Sequence, residues 1–183
     1  MKLLIRLGCL GVIGLFASFL AVVMAVATTF AGQGAGSPAP AVGGLLWPTH
    51  GRITDGFGIR VNPFPPHNEE GHWGVDIAAE AGTPVLAATA GEILSTAWAG
   101  GYGNLVILLG PGRLVTYYGH LSGFAVKRGQ TVARGQVIGF VGSTGRSTAP
   151  HLHLEVRPYG RNPVDPLLYL GNPQVGPHTE SAP

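Results

Sequence analysis

Short apolar runs broken by glycine-rich turns fill the middle of the chain. Residues 91–96, 104–109, 114–118, 136–141 and 151–156 are such runs, recurring every ten or so residues. That rhythm predicts an antiparallel sheet. No long 3.6-residue period crosses the region, so the domain is expected to be mainly β. At the N-terminus the pattern is different. Lys2 and Arg6 precede an uncharged stretch over residues 7–31, and the next charge is Arg52. This exceeds the roughly 7–15 apolar residues of a signal peptide and matches the roughly 20 that span a bilayer. One N-terminal apolar helix is therefore expected, acting as an uncleaved membrane anchor over residues 1–31. The leading cations place its start in the cytoplasm and the remainder outside. Small residues at Ala25-Val-Ala27 and Phe30-Ala31 offer a cleavage site, so secretion after signal cleavage is the alternative.

Residues 32–46, rich in Gly, Ala and Pro, read as a linker whose reach is only about 20 Å. A retained anchor would thus hold the domain of residues 47–170 close to the outer face of the membrane. Residues 171–183 lack an apolar pattern and are expected to be a disordered tail. A domain of about 125 residues buries a sufficient core without disulfides. None can form within the chain, because Cys9 is the only cysteine. It lies inside the N-terminal run without the apolar segment that precedes a lipoprotein cysteine, so it reads as an unmodified thiol. A net charge of +2 with two lysines and no basic cluster excludes a nucleic-acid binder.

The candidate chemistry is a pair of histidine motifs, His72-Trp-Gly-Val-Asp76 and His151-Leu-His153. Catalytic zinc takes three nitrogen or oxygen ligands and keeps a fourth position for water, which two His and one Asp satisfy. On a strand His151 and His153 share a face, so one can hold metal while the other handles protons. His72 and Asp76 would stand about 13 Å apart on a straight strand, too far to share one ion. The chain must bend between them, and Gly74 allows this. Glu155 follows on the face of His151 and His153, placed either to orient a ligand imidazole or to meet a structural partner. Tyr102, Tyr117, Tyr118 and Trp73 are candidates to line a groove, with one or two expected to touch substrate and the others to join the core. Arg60 either supports the cleft or pairs with a carboxylate. His50 and His67, in Pro-rich loops, and His178, in the tail, are not expected to be ligands. Gly139-Phe-Val-Gly-Ser-Thr-Gly-Arg-Ser147 imitates a phosphate loop, but its outer glycines enclose five residues and Arg146 stands where the lysine belongs, leaving a turn before a strand. A lipoyl-type carrier fails for want of a suitably flanked lysine.

From Trp47 to Pro166 the chain resembles the lysostaphin-type (LytM-type) zinc endopeptidases, metallopeptidase family 23, which cleave peptidoglycan peptides. The resemblance runs through Gly56-Phe-Gly-Ile-Arg60, Gly71-His-Trp-Gly-Val-Asp-Ile77, Ala81-Gly-Thr-Pro-Val85, Gly101-Tyr-Gly-Asn104, Thr116-Tyr-Tyr-Gly-His-Leu-Ser122, Gly142-Ser-Thr-Gly-Arg-Ser-Thr148 and Pro150-His-Leu-His-Leu-Glu155. It implies a compact antiparallel β-sheet with a groove floored by metal. It makes His72, Asp76 and His153 the ligands of one Zn²⁺ and His120 and His151 the catalytic histidines. The implied partners are peptidoglycan peptides and, through the N-terminal helix, the membrane, for a monomer with an extracytoplasmic catalytic domain. Relatives cut Gly-Gly bridges or D-Ala to diamino-acid cross-links, and loop 62–70 is expected to choose between them. Leu108-Leu109 replaces an Asp-His pair common in the family, and Trp73 stands where smaller or charged residues are usual. The alternative function is a catalytically silent LytM-like module that binds the wall or activates another hydrolase.

Overall fold

Alternating side chains on short strands build the domain. A computed structural model describes residues 44–170. Twelve strands follow in order: β1 (Arg52–Asp55), β2 (Gly58–Val61), β3 (Glu69–His72), β4 (Val75–Ala78), β5 (Pro84–Leu86), β6 (Gly91–Trp98), β7 (Asn104–Leu109), β8 (Leu114–Leu121), β9 (Gly123–Phe124), β10 (Thr131–Val132), β11 (Val137–Phe140) and β12 (His151–Pro158). The main sheet has seven strands in the order β1-β4-β12-β8-β7-β6-β10, with every neighbouring pair antiparallel. A three-stranded sheet, β5-β11-β9, and the ladder β2-β3 complete it. The antiparallel, mainly β expectation holds. Only short 3₁₀ turns occur among the described residues, and no helix there is long and apolar enough to cross a membrane. The expected anchor, most of the linker, Cys9, His178 and the tail lie outside the described residues.

The main core is one face of the seven-stranded sheet closed by the small sheet. Val75, Ile77, Ile93, Val106, Leu108, Tyr118, Leu152 and Leu154 from the large sheet meet Val85 and Ile138 from the small one, all fully buried. Each such burial contributes about 1.5–3 kcal/mol. Alternation then turns the intervening residues of β4 and β12 to the opposite face. Leu45 and Leu46, read from sequence as linker, bond to the domain: Leu45 N–H donates to Tyr169 O at 2.7 Å and Leu46 N–H to Ala88 O at 2.9 Å.

Candidate active site

Register sets the floor of the site. His153 on β12 lies opposite Asp76 on β4 and, across the other edge, opposite Gly119 on β8. Leu152, Leu154 and Val156 go to the core, so His151, His153, Glu155 and Arg157 face away from it. His72 reaches the same spot because the chain breaks between β3 and β4 at Trp73-Gly74. Gly74 is required there for room rather than for a left-handed turn. A Cβ on it would lie 2.3 Å from Leu154 O and 2.8 Å from His153 Cε1. Gly74→Ala is accordingly expected to destabilise the protein by about 1–3 kcal/mol and to displace the His153 ring. A lowered urea midpoint together with weaker zinc uptake would show this, and a midpoint equal to wild type would refute it.

Three donor atoms converge. His72 Nε2 is 3.2 Å from Asp76 Oδ1 and 3.1 Å from His153 Nδ1, and His153 Nδ1 is 2.8 Å from Asp76 Oδ1. All three residues are buried. A tetrahedral ion with ligands at about 2.0–2.1 Å sets neighbouring donors about 3.4 Å apart, close to this triangle. The outer nitrogens decide what faces inward. His72 Nδ1–H donates to Gly56 O at 2.7 Å, and His153 Nε2–H donates to Glu155 Oε1 at 3.2 Å. Each imidazole therefore presents a lone pair beside a carboxylate oxygen, an arrangement that repels unless a cation sits among the three. The donor set fits zinc, with both imidazoles held as zinc-ligating histidines usually are. When protons rather than a metal cation fill the triangle, burial would raise the Asp76 carboxyl, but His153 and His72 then donate to it and hold it well below the usual carboxylate range.

Glu155 takes the orienting place that its face allowed. It is itself fixed by Tyr102, whose O–H donates to Oε1 at 2.6 Å, and by Arg157 Nε at 2.7 Å to Oε2. Burial would raise its carboxyl, yet His153, Tyr102 and Arg157 together lower it. Arg157 lies over the Tyr117 ring, 4.4 Å from its centre.

His120 arrives by a different route. Between Leu121, opposite Asn104, and Tyr118, opposite Val106, β8 carries two residues against one on β7. This is a β-bulge, with His120 at φ 60°. In a regular strand His120 would share the face of the buried Tyr118. The bulge turns it to the groove and returns Leu121 to the core. The left-handed backbone costs about 1–3 kcal/mol. It is held by the loop of residues 141–150, where His120 Nδ1–H donates to Thr144 O at 2.8 Å, leaving Nε2 as the free lone pair. Burial pushes this imidazole down to about 4, so it is neutral at neutral pH. His151 Nδ1–H donates to Ala149 O at 2.8 Å, and its Nε2 is 3.6 Å from Asp76 Oδ1. The His120 and His151 rings lie 4.6 Å apart, centre to centre. All five predicted site residues thus gather in one groove of about 540 Å³.

Trp73, half-exposed, and Tyr102 line the groove, Tyr118 is in the core and Tyr117 packs beside Tyr102. His50 and His67 are exposed and outside it. Arg146 entered the sequence reading only as the residue that breaks the phosphate-loop pattern. It bonds to Asn62 Oδ1 and, at 2.8 Å, to Glu70 Oε2, and lies over Phe64, tying loop 141–150 to loop 62–70. The loop that imitates a phosphate site therefore has two tasks, holding His120 and bridging the groove. Its only sequence signal was an arginine displayed between tight turns.

Residues 70–166 match Peptidase family M23. Over 125 residues the chain is 48% identical to the DD-carboxypeptidase/endopeptidase Mpg of Neisseria meningitidis serogroup B (strain ATCC 13091 / M2091), a stretch that is 68% of this chain and 28% of that protein. The chain thus spans little more than a quarter of that relative. The catalytic domain of the antimicrobial peptidase lysostaphin from Staphylococcus simulans has a similar fold, with TM-score 0.60 and 35% identity over 64% of this chain and 90% of that one. So does a zinc-containing peptidase from Vibrio cholerae, with TM-score 0.62 and 35% identity over 68% of this chain and 39% of that one. The match covers more than half of the chain and extends from motifs to fold, and the protein belongs to peptidase family M23.

Proposed function

We propose that this protein is a zinc endopeptidase that hydrolyses stem peptides or peptide cross-links of bacterial peptidoglycan at the outer face of the membrane. The observation that carries the proposal is the convergence of two lone-pair-presenting imidazoles and one carboxylate oxygen beside two further imidazoles in an open groove. His72, Asp76 and His153 would hold the ion, their outer bonds to Gly56 and Glu155 fixing the rings. Zinc so held supplies a Lewis acid for the scissile carbonyl and acidifies water. No glutamate adjoins the first histidine as it does in HExxH enzymes, so the proton work falls to His120 and His151. With Nδ1–H committed to carbonyls, each offers Nε2 to take the proton of attacking water and then to stabilise or protonate the tetrahedral intermediate. Trp73 and Tyr102 supply apolar walls for the peptide. A peptide as substrate is carried over from relatives named as peptidases, among them the DD-carboxypeptidase/endopeptidase of Neisseria meningitidis and the antimicrobial peptidase lysostaphin.

Purified peptidoglycan of known cross-link type, digested with the full zinc-loaded chain, is expected to release new peptide termini readable by mass spectrometry. Intact cross-links and stem peptides would favour the silent module. The apolar run at residues 7–31 supports location at the membrane. The full-length protein is expected to fractionate with membranes and to be protease-accessible from outside. A soluble mature form beginning near Thr28 or Gly32 would replace the anchor by a cleaved signal.

A further inference from the structure

Strand β2 is inside out. Ile59 and Val61 are 72% and 66% exposed, while Arg60 between them turns inward. A guanidinium drawn from water in exchange for two exposed aliphatic side chains has to recover its solvation from specific partners. Three carboxylates provide it. Arg60 Nη1 forms a close ion pair with Asp55, Nη2 lies 3.1 Å from Glu70 Oε1, and Nη1 lies 3.3 Å from Asp76 Oδ2. Glu70 is held on its other oxygen by Arg146 at 2.8 Å. The pair with Asp55 and Glu70 would already neutralise the cation, so the contact to Asp76 is the informative one.

Asp76 divides its two oxygens. Oδ1 faces His72, His153 and His151, whereas Oδ2 is engaged by Arg60. A carboxylate with both oxygens free can grip a cation through both and fill an extra coordination position. We propose that Arg60 is a positioning residue that confines Asp76 to ligation through Oδ1, keeping one position beside the metal for water and substrate. This rests on the zinc reading above. Lysine is a poor substitute, because a point charge cannot fork among three acceptors.

Cobalt(II), bound to the full-length protein in place of zinc, reports coordination number through its visible spectrum. The wild type is expected to give the strong absorption of a four-coordinate ion. Arg60→Gln is expected to give the weaker spectrum of a five-coordinate one, the Asp76 carboxylate then gripping the ion through both oxygens. Glu70→Gln breaks the same ion-pair network without touching Asp76, and its cobalt spectrum should stay that of the wild type. If Arg60→Gln does not fold, Arg60→Lys takes its place with the same spectral shift expected. A wild-type spectrum in whichever Arg60 variant folds would overturn the proposal, as would a shift of equal size in Glu70→Gln. A wild-type protein that binds neither cobalt nor zinc would instead overturn the zinc reading and this inference with it.

Discussion

Alanine at His72, Asp76 or His153 is expected to reduce both bound zinc and peptidoglycan hydrolysis to background. Each removes one corner of the donor triangle, and two remaining ligands seldom hold zinc in a catalytic geometry. Asp76 should be the most damaging loss. Its Oδ1 lies against both ligand imidazoles, so its removal leaves two buried nitrogens facing each other at 3.1 Å with no anion between them. Asp76→Asn, nearly equal in size, separates charge from packing: it should keep the fold while losing most of the metal affinity. Metal analysis of the purified variants beside a turbidity assay on cell walls gives both readouts. Stoichiometric zinc in Asp76→Ala would remove Asp76 from the ligand set.

A different outcome is expected from His120→Ala and His151→Ala. Their free nitrogens do not belong to the triangle, and their other nitrogens are spent on the Thr144 and Ala149 carbonyls. Each variant should retain about one zinc per chain while losing about 10²–10⁴ in rate, the scale of acid-base assistance. Because the two rings are in contact, the double variant should lose far less than the product of the single losses if they act as a unit. Loss of zinc from His120→Ala, or full activity in His151→Ala, would break this assignment.

Much of this site is legible in the sequence, and the reasons differ residue by residue. Strand β12 alternates cleanly because one face packs on the core, so the shared direction of His151, His153 and Glu155 followed from period two alone. The six residues of β7 coincided with their apolar run for a different reason, since Leu105, Val106 and Leu108 are all buried and the run is unbroken. Strands β1 to β5, β9 and β10 have only two to four residues each, too few to show a period. The bend between His72 and Asp76, with Gly74 in it, followed from distance, but the reason glycine is needed there did not, since it is the approach of Leu154 O from a distant strand. His120 was reached only through the family resemblance, because periodicity alone could not place it. Its expected strand stopped at Tyr118, and the bulge depends on the pairing of β7 with β8. The support from Thr144 was equally invisible, because it is given by a backbone carbonyl that every residue possesses.

The bulge also limits how the gene can change length. Removing Gly119 would restore regular alternation and keep Tyr118 and Leu121 in the core, so the shortened protein should still have a route to its fold. It would also set the His120 imidazole directly opposite His153, at a position where a Cβ already makes ordinary packing contact with Tyr102 at 3.4 Å and the His153 Cβ at 3.5 Å, so that the ring beyond it would have to compete with both. Loss of a single codon is thus expected to separate folding from hydrolysis, because it moves His120 without disturbing the core positions of Tyr118 and Leu121.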